Sequence, residues 1–296
     1  MFILFLFVFP FDYNKSINDK VAVVTGSNKG LGFSLVKGLC EEFKGVVYLT
    51  SRDKDRGRKA CEELKNIGLN PVFHLLDVTD PNSVQVFCDY ISDRHGKIDI
   101  LINNAGVLFL KTASEPKLEQ VKTTIDVNFF ALVSFTEAIL PLMKENSVIV
   151  NISSSSGHLS RIPSVELRKA ISSVDLSLQG LRDLVNSYVE AVKENRECEE
   201  GWGDSPYVVS KVAVNAYTFT LHRKLSPRGI KVNCVHPGYV ISDMTGGSGN
   251  VSPQDASKVV LSLALAAPGS GLYVWHDGTQ VPWDGPDPRG YIDGKV

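Results

Sequence analysis

The stretch "VAVVTGSNKGLG", from Val21 to Gly32, determines the fold that the sequence predicts. It opens with a short β-branched run that ends at Gly26, and apolar residues at helical spacing follow in "LGFSLVKGLCEEF". A strand, a glycine-rich turn and a helix are therefore predicted in direct succession. Glycines in such a turn let a pyrophosphate approach the backbone N–H groups at the helix N-terminus. A glycine-rich turn without a ligand is the alternative at this point.

The same alternation continues along the chain. Apolar runs recur in "VVYLTS", "PVFHLLDV", "IDILINNAG", "SVIVNISSSSG" and "IKVNCVHPG", and helix-length segments separate them. Strands that alternate with helices predict βαβ units, and right-handed crossovers place helices on both faces of a parallel sheet. The predicted fold class is therefore α/β, with a Rossmann-type doubly wound parallel sheet in a single domain.

The predicted domain covers residues 20–283, between an apolar extension at residues 1–19 and a tail at residues 284–296. Residues 157–204 form a helical insertion within the domain, after the fifth predicted strand. Apolar residues at helical spacing mark an amphipathic helix in it: Leu178, Leu181, Leu184, Val185, Tyr188 and Val192.

The composition limits the classes of function. The 296 residues have a formal net charge of −2, and no basic run indicates nucleic-acid binding. The five cysteines form no C-x-x-C pair and the six histidines show no metal-like spacing, so we expect neither a disulfide framework nor a metal site. The scattered cysteines fit a reducing compartment, and we expect a cytoplasmic protein.

The first ten residues, "MFILFLFVFP", are apolar apart from the closing proline. A membrane-spanning helix needs about 20 apolar residues, and this run stops at Asp12. It has neither the positive n-region nor the small-residue cleavage site of a secretory signal. We expect a non-functional extension or an extra buried strand, and weak membrane association through residues 1–11 is the alternative.

The end of the second predicted strand, "LTSRD", indicates the cofactor. Folds that prefer NAD place an acidic residue there to bind the ribose 2′-hydroxyl, but this chain has Ser51 and then Arg52. Arg52 and Lys29, which lies in the glycine turn, suit a 2′-phosphate, so NADPH is the expected cofactor. Asp53 is expected to cap the next helix, and Arg56 either assists or is a solvated helix residue.

Six motifs, in this order, resemble those of the short-chain dehydrogenase/reductase family between about Val21 and Trp283. They are "TGSNKGLG" (25–32), "LDV" (76–78), "NNAG" (103–106), "NISS" (151–154), "YVVSK" (207–211) and "HPGYVISDM" (236–244). The resemblance implies the doubly wound fold and an oxidoreductase that uses a nicotinamide cofactor.

The chain most resembles the monomeric NADPH-dependent carbonyl reductases of this family. Ser154 and Tyr207 are 53 positions apart, whereas typical family members have far fewer residues between the matching serine and tyrosine. In that subgroup an insertion of this kind covers the face that other members use to form tetramers. The resemblance therefore implies a monomer.

Reduction of a carbonyl requires a hydride on carbon and a proton on oxygen. By resemblance, Tyr207 is the general acid and Lys211 bonds the nicotinamide ribose. The two side chains share a helix face, and the ammonium, with the oxidised nicotinamide, is expected to lower the pKa of the phenol. Ser154, selected by the family match from four consecutive serines, would donate to the substrate oxygen. Asn128 would hold a water in the proton relay to Lys211, or else be a polar helix residue packed against a neighbour.

A second Tyr-x-x-x-Lys spacing joins Tyr291 to Lys295. It lies in "VPWDGPDPRGYIDGKV", where prolines and glycines oppose a helix. Tyr291 and Lys295 therefore have no reason to share a face, and Tyr207 is the predicted catalytic tyrosine.

The resemblance also implies a set of cofactor contacts from the glycine turn, three strand ends, the catalytic helix and the Pro-Gly loop. The set is Gly26, Ser27, Asn28, Lys29, Gly30, Leu31, Gly32, Arg52, Asp77, Val78, Asn104, Ala105, Gly106, Tyr207, Lys211, Pro237, Gly238, Val240 and Ser242. Tyr239 and Met244 are expected to line an apolar substrate pocket, and residues 245–250 to act as a lid. His236 either contacts substrate or has an incidental role.

The function these features predict is NADPH-dependent reduction of ketones, aldehydes or quinones to alcohols by hydride transfer, with a small apolar carbonyl compound as substrate. An NADP-dependent alcohol or steroid dehydrogenase is one alternative. A non-catalytic NADPH-binding regulatory protein is another, although the four catalytic side chains weigh against it. A membrane-associated reductase anchored by residues 1–11 is the last.

Overall fold

The computed structural model of the chain describes residues 20–288. Its central feature is one seven-stranded sheet in the order β3-β2-β1-β4-β5-β6-β7, and all paired strands are parallel. The strands are β1 (Lys20–Val24), β2 (Gly45–Ser51), β3 (Val72–Leu75), β4 (Ile98–Asn103), β5 (Met143–Ile152), β6 (Lys231–His236) and β7 (Tyr273–Trp275). The predicted doubly wound α/β fold is confirmed.

Nine α-helices connect and cover these strands in the described part of the chain. They are α1 (Gly30–Glu42), α2 (Lys54–Asn66), α3 (Pro81–Arg94), α4 (Lys117–Ile125), α5 (Leu132–Ile139), α6 (Val165–Ile171), α7 (Leu178–Lys193), α8 (Pro206–Leu225) and α9 (Pro253–Leu265). Asp53 caps α2 as expected, because its carboxylate accepts a hydrogen bond of 2.9 Å from the backbone N–H of Arg56.

The sheet is buried on both faces, which is why its strands are unbroken apolar runs. Alternate residues of β1 enter different cores: Val21 and Val23 belong to one apolar cluster, whereas Ala22 and Val24 belong to the other. The first cluster includes side chains of α3, α4, α5, α7 and α8, and the second includes side chains of α1, α2 and α9. Each face thus has its own helical layer.

The chain reverses its winding direction between β1 and β4, which are neighbours in the sheet. From β1 it proceeds outward to β2 and β3, and it then returns to β4 on the other side of β1. Open α/β sheets bind ligands in the crevice at the carboxyl ends of the strands at this switch point. The glycine turn follows β1, and "NNAG" begins at Asn103, the last residue of β4. Both motifs therefore lie at that crevice.

One apolar stretch, Lys117–Leu142, is long enough by length and composition to cross a membrane. More than half of its apolar window, 56%, is buried inside the protein. A π-helical segment, Asp126–Ala131, joins α4 to α5 within this stretch. These helices are therefore part of the core beside β4 and β5.

The segment between β5 and α8 contains α6 and α7. Helix α7 packs against α4 and α8 with its apolar side, and Leu181, Val185 and Tyr188 are buried there. An ion pair between Lys117 of α4 and Glu197 ties the end of this segment to the domain. The segment thus packs over part of α4 and α8.

Residues 1–19 and 289–296 lie outside the described residues. The predictions for the apolar run at residues 1–11, for most of the tail and for the Tyr291–Lys295 pair all fall there.

Candidate active site

The glycine turn has a backbone that only glycine adopts readily at two positions. Gly26 and Gly30 have φ angles of +59° and +57°. Gly32 has another constraint, because a Cβ there would lie 2.6 Å from Nδ2 of Asn104 and 2.9 Å from the carbonyl oxygen of Gly26. The turn and the "NNAG" segment are therefore in direct contact, with no room for a side chain on Gly32.

Hydrogen bonds hold the "NNAG" segment against the turn. The side-chain amide of Asn104 donates to the carbonyl oxygens of Thr25 and Gly26 at 2.9 and 3.0 Å. In return, Oγ1 of Thr25 accepts from the backbone N–H groups of Asn104 and Ala105 at 2.9 and 3.0 Å. Thr25 is thus a residue of the site that was not predicted, although its place directly before the first glycine of the turn was a signal.

The N-terminus of α1 is suited to bind an anion. Lys29 is its N-cap residue and makes no side-chain capping bond, so the first N–H groups, from Gly30 and Leu31 onward, are left for a ligand. A Cβ on Gly30 would find its nearest neighbour, Cβ of Ser242, at 3.9 Å. The turn and the loop after β6 are therefore close neighbours at this helix N-terminus. Ser27 and Asn28 complete the turn, and Oγ of Ser27 donates to the carbonyl of Val24 at 2.8 Å.

The two cations expected at the 2′-phosphate differ in their surroundings. Arg52 is exposed at the end of β2, and within residues 20–288 it has no hydrogen-bond or ion-pair partner. Lys29 instead forms an ion pair of 2.7 Å with Asp243 in the loop after β6. Lys29 and Arg52 were expected to bracket the 2′-phosphate, but Lys29 is engaged by Asp243. This acidic partner was not predicted. Arg56 pairs with Asp53 at 3.0 Å.

The residues expected near the adenine follow β3. The Oδ1 atom of Asp77 accepts hydrogen bonds from the backbone N–H and the hydroxyl of Thr79, at 2.9 and 2.6 Å. The backbone N–H of Asp77 donates to Ser83 at 2.9 Å, and Val78 packs against the core. The segment thus has a fixed conformation at the edge of the crevice.

Tyr207 and Lys211 lie in the first turns of α8, which begins at Pro206 with Ser205 as its cap. Oγ of Ser205 accepts from the N–H of Val208 at 3.3 Å. The Nζ of Lys211 lies 5.7 Å from the centroid of the Tyr207 ring and donates to the carbonyl of Ile152, at the end of β5, at 2.8 Å. The helix therefore places both side chains in one site, as their spacing predicts.

The expected lowering of the Tyr207 pKa includes the charge of the oxidised nicotinamide and stays a prediction, whereas the protein by itself shifts this pKa the other way. Burial raises the pKa of Tyr207, and a hydrogen bond with Ser154 opposes part of that rise. Burial also lowers the pKa of Lys211 to about 8. Desolvation disfavours the charged form of both groups, whereas the Lys211 ammonium and an oxidised nicotinamide favour the phenolate.

Ser154 is the serine of the run "SSSS" whose side chain contacts Tyr207. Its Oγ accepts from the backbone N–H of Ser156 at 3.1 Å, which leaves the hydroxyl proton free to be donated. Ser153, by contrast, points away, since a Cβ on Gly157 would lie 2.6 Å from its buried Oγ. The geometry thus agrees with the choice of Ser154.

Asn128 lies in the π-helical segment and is buried. Its amide makes a two-way contact with the backbone of Val107: Oδ1 accepts at 2.8 Å and Nδ2 donates at 2.9 Å. A Cβ on Gly106 would lie 3.2 Å from Oδ1 of Asn128 and 4.0 Å from Nζ of Lys211. The missing side chain of Gly106 therefore leaves space between Asn128 and Lys211. π-Helical turns occur frequently at functional sites.

The loop after β6 closes the crevice. Pro237 is buried, and Gly238 has a φ of +90°. Val240 and Val251 form a bridge at the base of the loop, and the N–H of Ser242 donates to Oγ1 of Thr245 at 3.1 Å. The loop is thus a compact, internally bonded unit above the glycine turn.

Three side chains near this loop bear on the predicted substrate pocket. Tyr239 and Met244 are expected to line it, and His236 is expected either to contact substrate or to have an incidental role. Tyr239 and Met244 are exposed, and the Tyr239 hydroxyl shares a hydrogen bond of 2.6 Å with Ser248. His236 packs edge-on against Trp275, with ring centroids 5.0 Å apart, and burial lowers its pKa to about 4. His236 is therefore neutral at physiological pH, and the choice between substrate contact and an incidental role stays open.

Within residues 20–288 no group of three or more His, Cys, Asp or Glu side chains is placed to hold a metal ion. The five cysteines are free thiols.

A known protein family matches most of the chain. The model of the short chain dehydrogenase family matches residues 20–165 and 198–251. The residues between, 166–197, contain α7 and almost all of α6. The chain belongs to the short-chain dehydrogenase family and is an oxidoreductase of that family. The family resemblance of the motifs is confirmed.

Several individual proteins are similar to this chain over most of its length. Carbonyl reductase (NADPH) 1 of Rattus norvegicus is 35% identical over 277 residues, which cover 90% of this chain and 100% of the relative. Among solved structures, salutaridine reductase from Papaver somniferum is 32% identical with a TM-score of 0.79, over 86% of this chain and 99% of that one. Menthone neomenthol reductase from Mentha piperita is 28% identical with a TM-score of 0.75, over 88% and 99%.

Proposed function

We propose that the protein is an NADPH-dependent carbonyl reductase that converts apolar ketones, aldehydes or quinones to alcohols. The observation that supports this most is the convergence of four side chains from three elements. Asn128 comes from the π-helical turn, Ser154 from the end of β5, and Tyr207 and Lys211 from α8. The rat relative is named as an NADPH carbonyl reductase, and the two plant structures are named as reductases.

The residues that would hold the cofactor fit a dinucleotide. The uncapped N-terminus of α1 would bind the pyrophosphate. Gly26 and Gly32 have no side chains, so the "NNAG" segment can lie directly against the glycine turn. Arg52 is an exposed cation at the β2 end, where an acidic residue would favour NADH. This arrangement favours NADPH. The bound cofactor supplies the hydride.

The chain's own residues supply the proton and orient the carbonyl. Ser154 donates a hydrogen bond from its hydroxyl to the substrate oxygen and holds that oxygen beside the phenol of Tyr207. Because burial raises the pKa of Tyr207, the phenol retains its proton until the oxygen becomes basic, and then donates it. The Lys211 ammonium stabilises the phenolate that forms, and the space beside Gly106 gives Asn128 and Lys211 a route to return the proton.

We also propose that the protein is a monomer in the cytoplasm. Helix α7 covers the outer surface of α4, and the Lys117–Glu197 ion pair holds the end of the insertion there. A second chain would have to displace α7 to pair through that face. The five free thiols fit a reducing compartment.

The test of the proposed activity is a screen for NADPH oxidation with quinones, aromatic ketones, steroids and aldehydes. Tyr207→Phe serves as the blank. Tyr217→Phe serves as a matched control, because it removes another phenol of the same helix, one that donates to Glu137 at 3.0 Å. Turnover by the unchanged protein and by Tyr217→Phe, but not by Tyr207→Phe, supports the proposal. Equal rates of NADPH oxidation with and without every carbonyl compound contradict it.

A further inference from the structure

The backbone carbonyl of Ser154 accepts two hydrogen bonds. One comes from the N–H of Gly157 at 2.9 Å, as part of the short turn that follows Ser154. The other comes from the hydroxyl of Tyr273 at 2.6 Å. Tyr273 is 119 positions away in sequence and belongs to β7 at the edge of the sheet. The residue proposed to orient the substrate is thus itself held by a distant tyrosine.

Tyr273 is suited to be a permanent donor. Its side chain is 1% exposed, in the apolar cluster that also contains residues of α8. Burial, with the nearby Cys234, raises its pKa well above the ordinary value of 10.0, so the hydroxyl keeps its proton at physiological pH. A buried hydroxyl with a short bond to one carbonyl has a defined direction.

The residues after β7 restrain the same loop from the other side. The indole N–H of Trp283 donates to the carbonyl of Gly157 at 2.8 Å, and the carbonyl of Trp283 accepts from the N–H of Leu159 at 3.1 Å. The Trp283 ring stacks on Phe219 of α8, with centroids 5.2 Å apart. The segment from Tyr273 to Trp283 therefore connects the serine loop to the catalytic helix.

We propose that Tyr273 is a positioning residue of the active site: its hydrogen bond to the Ser154 carbonyl sets the Ser154 hydroxyl against the phenol of Tyr207. This inference rests on the proposed reductase function. Neither the six family motifs nor the predicted catalytic set includes Tyr273.

The physical reason is the coupling between a backbone carbonyl and its own side chain. Ser154 is extended, with φ −165° and ψ 162°, and its carbonyl carbon and its Cβ are both bonded to the same Cα, so a displacement of the carbonyl that shifts Cα also moves the hydroxyl. Without the phenol of Tyr273, only the Gly157 N–H restrains that carbonyl. A misplacement of about 1 Å in a catalytic group can cost about 100-fold in rate.

The test variant is Tyr273→Phe, which keeps the buried ring and removes only the hydroxyl. We expect kcat for reduction of a naphthoquinone to fall about tenfold or more, while the KM and Kd for NADPH stay unchanged, because Tyr273 acts on the substrate side of the site. Tyr217→Phe is the matched control. It also removes a buried, hydrogen-bonded phenol, and Glu137 keeps its other partner, Lys224, at 2.7 Å.

A second measurement asks whether Tyr273 acts through Ser154. In a Ser154→Ala background the backbone carbonyl is still present, but the hydroxyl to be positioned is gone. Tyr273→Phe should therefore have no further effect on kcat in that background. If the loss of kcat in the double variant equals the product of the losses in Tyr273→Phe and Ser154→Ala, the inference is overturned. A wild-type kcat in Tyr273→Phe would also overturn it, as would an equal loss in Tyr217→Phe, which would reveal a general loss of stability.

The two proposals fail in different ways. If Tyr207→Phe is inactive but Tyr273→Phe has the kcat of the unchanged protein, only the role of Tyr273 is wrong. If the unchanged protein reduces no carbonyl compound, or Tyr207→Phe stays active, the proposed function is wrong and the role of Tyr273 falls with it.

Discussion

The ammonium of Lys211 lies over the ring of Tyr207, with Nζ 5.7 Å from the ring centroid. The two residues are one helical turn apart on α8, so the helix fixes this arrangement. The carbonyl of Ile152 accepts the only hydrogen bond that Nζ makes within the described residues, at 2.8 Å. The ammonium is therefore buried next to a phenol without a carboxylate to balance its charge.

The pH dependence of stability should reveal this buried ammonium. The Lys211 pKa of about 8 lies below its ordinary value of 10.5, so between these values the unfolded chain binds a proton that the folded chain has lost. The contribution of Lys211 to the free energy of unfolding therefore rises with pH. Below pH 8 the ammonium is charged in the folded protein, and the free-energy cost of burying it is fully present. Lys211→Met removes this titration. The stability of the unchanged protein relative to Lys211→Met should improve by about 2 kcal/mol between about pH 7 and pH 9.5.

Urea unfolding of both proteins at the two pH values measures this difference. Lys211→Met also loses the hydrogen bond to Ile152, but this loss is the same at both pH values and cancels when the two differences in stability are compared. A difference in stability that does not change with pH would mean that Lys211 keeps its ordinary pKa in the folded protein.

Arg52→Asp should shift the cofactor preference toward NADH. The exposed guanidinium would bind the 2′-phosphate, and charge-assisted hydrogen bonds contribute about 1.5–3 kcal/mol, so kcat/KM for NADPH should fall about 10- to 100-fold. Arg58→Asp makes the same charge change on α2 and is the control. An NADPH/NADH ratio that is unchanged in Arg52→Asp, or changed equally in Arg58→Asp, would refute the role of Arg52.

Asp243→Asn should release Lys29 from its 2.7 Å ion pair. Both side chains are exposed, so the pair contributes at most about 1 kcal/mol to stability. The free ammonium can then approach the 2′-phosphate, and we expect the Kd for NADPH to fall about two- to fivefold at low salt. The Kd for NADH should stay the same. Fluorescence titration with both cofactors measures this, and weaker NADPH binding would show that Asp243 instead supports the closed loop.

Gly32→Ala should damage the glycine turn. The new Cβ would lie 2.6 Å from Nδ2 of Asn104, so the turn and "NNAG" must separate. We expect a loss of about 1–3 kcal/mol in the free energy of unfolding, together with weaker NADPH binding. Gly180→Ala, in the insertion helix α7, is the control and should be neutral or stabilising, because alanine favours a helix. Tight NADPH binding by Gly32→Ala would show that the contact is not needed.

The sequence predicts this fold well because a sheet that is buried on both faces requires unbroken apolar strands. The runs that begin with "VAVV" and "VVYL" therefore identify β1 and β2, and Gly26 follows closely after the end of β1. The convergence of Ser154 and Tyr207 across 53 positions could be predicted only from the family pattern, since local periodicity says nothing about which strand end meets which helix.

Other parts of the site depend on contacts that no local pattern contains. Lys29 and Asp243 are 214 positions apart, and each alone is an ordinary surface charge. The bond from Tyr273 to Ser154 follows from the order of the strands in the sheet, not from a motif. The direction of the Tyr207 pKa depends on burial, which a spacing of four residues does not encode.

The most direct test of the central claim is Tyr207→Phe, assayed with the carbonyl compounds that the unchanged protein reduces. The variant lacks only the hydroxyl that is proposed to donate the proton, so NADPH should bind with an unchanged Kd while carbonyl-dependent NADPH oxidation is abolished. Near-normal turnover in Tyr207→Phe would contradict the assignment of Tyr207 as the general acid.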